Sequence, residues 1–139
     1  MKIQVRQITG SASEATIRGH KLTIDRPADK GGTDTGAMGG ELFLAAVGGC
    51  FMSTLLAAIK ARQAEVSDVR TEVTATLTGS PPRFTEVELC VSGECADPDL
   101  FEKLVEIGER GCIMVNTLRG KLDLRVRIGA PTMSGEPIR

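Results

Sequence analysis

The chain has 139 residues, with 17 Lys/Arg against 18 Asp/Glu and a formal net charge of −1. The interspersed charges offer neither a basic groove for nucleic acid nor a cationic face for an anionic membrane. The absence of Trp and Tyr, with only four Phe, argues against single-strand binding by base stacking as well. This length suits one domain, residues 1–139, with a core of its own.

The N-terminal MKIQVRQITG alternates where a signal peptide would be continuously apolar, so the expected compartment is the reducing cytoplasm. There, Cys50, Cys90, Cys95 and Cys112 are expected to be core thiols, a redox pair or metal ligands, and not a disulfide framework. Metal has the least support, because the chain has no C-x-x-C and His20 is its sole histidine.

Lys2 to Ile8 alternates like a strand through Ile3, Val5 and Ile8. Ala15 to Arg18 and Lys21 to Asp25, around Gly19-His20, read as a hairpin. Pro27 ends the pairing, because it lacks an N–H donor. A Gly-rich loop follows, KGGTDTGAMGG, long enough to be functional. Glu41 to about Ala64 is a long helix, with an acid at its positive end and Lys60 and Arg62 at its negative end. Leu42 to Ile59 is uncharged and reaches the lower length of a membrane span. Its Ala, Gly, Ser53 and Thr54 keep its hydropathy modest, so a buried helix is the expectation.

Strands are expected over Val66 to Thr78 and Phe84 to Gly93, joined by a turn through Gly79, Ser80, Pro81 and Pro82. In the second, Val87, Leu89 and Val91 face one way and Glu86, Glu88 and Cys90 the other. Asp97-Pro98 opens a second helix as N-cap and first turn, with Leu100, Leu104 and Ile107 as its apolar stripe. It falters at Gly111, and Cys112 begins a short helical stretch closed by Gly120. Lys121 to Ile128 is a last alternating strand, and the Pro/Gly-rich tail from Gly129 is expected to fray. The fold class is α+β. The long apolar helix exceeds what one thin sheet covers, which predicts a homodimer.

Two thiols stand out. Cys50, midway along the buried helix, reads by itself as core. Yet Gly48 and Gly49 beside it cost a helix about 1 kcal/mol each against Ala, which points to close backbone approach. At that depth the helix dipole has faded, so a reactive Cys50 is expected to need a cationic partner to lower its pKa. Cys112 follows Gly111 and opens a helical stretch whose free N–H groups favour a thiolate, although a buried structural thiol fits equally.

The segments GGTDTGAMGGELFLAAVGGCF and GCIMVNTLRG resemble the two cysteine regions of the OsmC-like family, which includes the organic hydroperoxide resistance proteins. The resemblance implies an OsmC-like fold, antiparallel strands wrapped around long central helices in an intertwined homodimer. It also implies a peroxidase in oxidative or osmotic stress defence: Cys50 attacks an organic hydroperoxide or hydrogen peroxide, and Cys112 resolves the sulfenic acid as a disulfide. An external dithiol, dihydrolipoyl groups in some members, restores the pair, with no bound cofactor or metal.

Where better-known members have a glutamate ten residues before the first cysteine, this chain has Gly40. Glu41 is displaced about 100° around the helix but is the nearest substitute. Ile113 stands where many members have proline. Arg26, ahead of Arg18, is the expected activating cation, and Asp34 and its loop look closer to a less-studied branch. Cys90 and Cys95 match no functional position, and Met38, Met52 and Met114 read as ordinary core filling ahead of lining an apolar pocket for lipid-like peroxides. Two rival readings remain: a dimeric small-ligand-binding or redox-sensing protein, favoured by the missing glutamate, and a thiol nucleophile for another reaction such as acyl transfer, which His20 in its hairpin does little to support.

Overall fold

In the computed structural model, which describes residues 1–130, local signals set most elements and long-range pairing sets their limits. The chain divides into two units, Met1–Phe43 and Leu44–Arg139. The expectation of a frayed tail falls mostly on residues 131–139, outside the described residues.

The first unit holds an antiparallel sheet of β1 (Gln4–Gln7), β2 (Ser13–Ile17) and β3 (His20–Ile24) in that order. Strand β1 is shorter than its alternation predicted, and Ile3 and Val5 are 50% and 57% exposed. The hairpin turns at Arg18-Gly19, one residue earlier than expected, with Ile17 opposite His20. Arg18 takes the left-handed conformation, φ 55°, as a two-residue turn matching strand twist requires. His20 therefore belongs to β3.

After a 3₁₀ turn at Ala28–Lys30, the Gly-rich loop is tied to one buried carboxylate. Asp25, 2% exposed, accepts the Thr33 and Thr35 N–H groups at 3.1 Å each, and their hydroxyls at 2.7 and 2.8 Å, on Oδ2. Its Oδ1 accepts the Arg26 N–H at 2.8 Å. Gly32 and Gly36 let the loop lie flat, since a Cβ there would come within 1.9 Å of the Arg26 carbonyl oxygen and 2.2 Å of that of Thr23.

Helix α1 spans Gly39–Ala61, starting two residues before Glu41 and stopping short of Ala64. Glu41 Oε1 accepts the Met38 N–H at 2.8 Å, the backward half of a capping box, which draws the first turn back to Gly39. At the other end Gln63 is left-handed, φ 49°, and Ala64 and Gln63 donate to the Ile59 and Lys60 carbonyls. This pattern closes a helix ahead of its polar tail.

The second unit contains the body of α1, β4 (Val66–Thr78), β5 (Arg83–Cys95), α2 (Pro98–Gly111), α3 (Ile113–Leu118) and β6 (Asp123–Ile128). Its sheet runs β4-β5-β6. The β4–β5 pairing is antiparallel, as expected, whereas β6 runs parallel to β5, correcting the all-antiparallel expectation. The cause is the crossover through α2 and α3, which returns the chain in its original direction.

Val87, Leu89 and Val91 are buried with Val47, Phe51 and Leu55 of α1 and Leu104 and Val115 of the later helices. Each large side chain so enclosed contributes about 1.5–3 kcal/mol. Asp97 caps α2 by accepting from the Asp99 and Leu100 N–H groups. The stripe that α2 buries is Phe101, Leu104, Val105 and Gly108; Leu100 and Ile107 are half-buried, so tertiary packing rotated the face away from the predicted one. The outward face of α1, with Ala45, Ala46, Gly49, Ser53 and Leu56, is exposed within the chain. The mean hydropathy of α1, 2.2, is not the modest value expected, and the helix is only partly buried within the chain, so by length and composition alone it suffices to cross a bilayer.

Candidate functional site

Cys50 lies well inside α1, half-buried, and Cys112 is fully buried at the α2–α3 corner. Of the two glycines ahead of Cys50, only Gly48 is crowded: a Cβ there would meet Val73 Cγ2 at 2.8 Å, while Gly49 has open space. Cys112, extended at φ −76° and ψ 116°, ends α2 and caps α3, its sulfur accepting the Val115 N–H at 3.5 Å. The corner is held further by the Cys112 N–H to the Glu109 carbonyl at 3.3 Å and by the Asn116 side chain to the Arg110 carbonyl at 3.0 Å.

This corner faces Cys50. The N–H groups of Met114 and Ile113 and the Cys112 side chain lie close enough to the Cys50 sulfur to lower its pKa. Burial pushes the Cys50 pKa up, but the Met114 N–H, the Cys112 thiol and the Ile113 N–H together outweigh it, so the net direction is down. Burial pushes Cys112 up, the Val115 N–H opposes this, and the hydrogen bond to Cys50 with that sulfur's charge adds to the rise. One thiol is thus prepared to ionise while its neighbour keeps a proton, an arrangement suited to a nucleophile and a second thiol that reacts after it. Among the described residues the groups that lower the Cys50 pKa are backbone amides and a thiol, and not the cationic partner expected.

Arg26 and Glu41 lie in the Met1–Phe43 unit. Arg26 is exposed and, with Ser11, Ser13 and Met38, lines a cleft of about 320 Å³ at the start of α1. Arg18 occupies the hairpin turn. The Glu41 carboxylate is engaged in capping α1. Cys90, expected on the polar strand face, is 4% exposed; it pairs across the sheet with Arg127, and its thiol points to the Ala130 carbonyl at 3.8 Å. Cys95 bonds the Asp97 carbonyl at 3.2 Å. Asp25, which organises the Gly-rich loop, escaped the sequence reading; an acid followed by two threonines spaced to bind it is the signal that was there.

The family model of OsmC-like proteins matches residues 32–127, a stretch containing both cysteines. The chain belongs to the OsmC-like family. An OsmC-like protein from Mycoplasma pneumoniae shares the fold with a TM-score of 0.81 at 18% identity, over 92% of this chain and 94% of that one. The organic hydroperoxide resistance protein OhrB of Bacillus subtilis aligns with a TM-score of 0.68 at 25% identity, over 92% and 96%. An OsmC-like protein of unknown function from Vibrio cholerae gives 0.75 at 15%, over 92% and 97%. No curated protein sequence matches.

Proposed function

We propose that this OsmC-like protein is a thiol peroxidase in which Cys50 is the peroxidatic and Cys112 the resolving residue. What supports this reading is the proximity of the two cysteines, through which the Cys50 pKa is lowered and that of Cys112 raised. The Cys50 thiolate attacks the outer oxygen of a hydroperoxide, breaking the O–O bond to leave a sulfenic acid and an alkoxide, which takes a proton to become the alcohol. The Cys112 thiolate then attacks the sulfenic sulfur, forming the disulfide and releasing hydroxide. An external dithiol such as a dihydrolipoyl group returns both thiols. Organic hydroperoxides are the preferred substrate class, in keeping with the name of the Bacillus subtilis relative.

The same reading makes residues 1–139 one functional domain of a cytoplasmic homodimer, with no nucleic-acid or membrane partner. The exposed face of α1 and the exposed Ile3, Val5 and Leu56 support a second copy as the missing cover. Arg26 is proposed as a further cation toward the thiolate. A redox-sensing or ligand-binding role is the second reading, favoured by Gly40 and by the capping bond of Glu41.

The test is consumption of cumene hydroperoxide and of hydrogen peroxide with dihydrolipoamide, in wild type, Cys50→Ser and Cys112→Ser. Loss of turnover in the first variant and a trapped Cys50 sulfenate in the second support the peroxidase. No peroxide consumption by wild type favours the second reading.

A further inference from the structure

Thr54 lies one turn beyond Cys50 on α1, and its Oγ1 donates to the Cys50 carbonyl at 3.0 Å. A β-branched side chain whose hydroxyl bonds back to the preceding turn has a fixed χ1, so its methyl points in one direction. That direction is the α2–α3 corner: Thr54 Cγ2 lies 2.7 Å from where a Cβ on Gly111 would sit. The methyl therefore fills the side-chain space of residue 111, immediately before Cys112.

We propose that Thr54 is a positioning residue, a spacer anchored beside Cys50 that rests on Gly111 and sets the separation of the two sulfurs. The inference depends on Cys50 and Cys112 acting as a redox pair. The corner is braced internally by the bonds from Cys112 to Glu109 and from Asn116 to Arg110, so its stand-off from α1 is the remaining variable. Disulfides tolerate only a narrow range of backbone separation. A side chain at 111 forces the corner away from α1, because the hydroxyl bond stops the methyl from turning aside. A serine at 54 keeps that bond and removes the methyl.

The experiment follows disulfide closure in the full-length protein with oxidised glutathione and needs no peroxide. The Cys50 thiolate attacks oxidised glutathione, forming a mixed disulfide and expelling one glutathione thiolate. The Cys112 thiolate then displaces the second, so two protein thiols are oxidised as one glutathione disulfide becomes two thiols. Mass spectrometry after acid quench gives the rate of the second step.

Gly111→Ala is expected to slow that step by about tenfold or more, and adding Thr54→Ser to bring it back within about threefold of wild type. Gly108→Ala, whose Cβ would press on Leu55 and Phe51 at 3.3 Å, serves as the packing control: it lowers the melting temperature and leaves closure within about twofold. Thr54→Ser alone, which keeps the hydroxyl bond and removes the methyl, is expected to slow closure with Gly111 intact, and decides the matter if Gly111→Ala does not fold. Closure at the wild-type rate in Gly111→Ala or in Thr54→Ser alone, or no recovery in the double variant, overturns the spacer. A wild-type protein that forms no such disulfide overturns spacer and redox pair together. One that forms it without consuming peroxide overturns only the peroxidase.

Discussion

The sulfur of Cys112 accepts the Val115 N–H at 3.5 Å while its own thiol faces Cys50. One side chain thereby caps a helix and acts on Cys50, lowering that thiol's pKa while its own is raised.

The first expectation concerns pH. A thiol reacts as its thiolate, so alkylation of Cys50 by iodoacetamide rises with pH and reaches half its plateau below the ordinary thiol value of 9.0, whereas Cys112 titrates above it. Cys112→Ala removes a donor to the Cys50 sulfur and is expected to reduce Cys50 alkylation at pH 7 by about threefold. Peptide mapping of the alkylated protein over a pH series measures both.

A second expectation concerns Asp25, whose pKa is lowered by the Thr33 hydroxyl above all, against the burial that raises it, with Thr35 and the Arg26 N–H also lowering it. Asp25→Asn turns a donor toward this cluster of donors, and is expected to lower the melting temperature by at least about 5 °C and to speed amide exchange at Thr33 and Thr35. A folded pKa below the unfolded value of 3.8 means that stability from this carboxylate is complete above that pH. It declines below it, where the unfolded state takes up the proton first. The gap between wild type and variant should therefore be constant near neutrality and narrow in melts below pH 3.8.

Leu89, fully buried at the centre of β5, is expected to cost about 2–5 kcal/mol as Leu89→Ala, read from urea unfolding.

The exposed face of α1 carries the remaining prediction. Leu56, 49% exposed within the chain, belongs to the surface proposed to meet a second copy. Leu56→Asp puts a charge in that apolar contact and is expected to raise the dissociation constant by about tenfold or more. Sedimentation over a dilution series should show twice the chain mass for wild type and a monomer for the variant at the same concentration.

How much was legible beforehand differs from element to element. Sequence by itself determined what near neighbours decide: the limits of β4, the Asp97-Pro98 start of α2, the inward set Val87, Leu89 and Val91, and the two cysteine segments of an OsmC-like chain. Each rests on chain periodicity, capping chemistry or a contiguous motif. Only the tertiary structure decided the parallel direction of β6, the rotated face of α2, the burial of Cys90 and the tie between Asp25 and its loop. The same holds for the meeting of Cys50 with the amides and thiol of a corner far along the chain. These depend on which distant backbone groups find each other once a crossover and a helix pair are packed, and one chain's residue pattern carries no record of that partner choice.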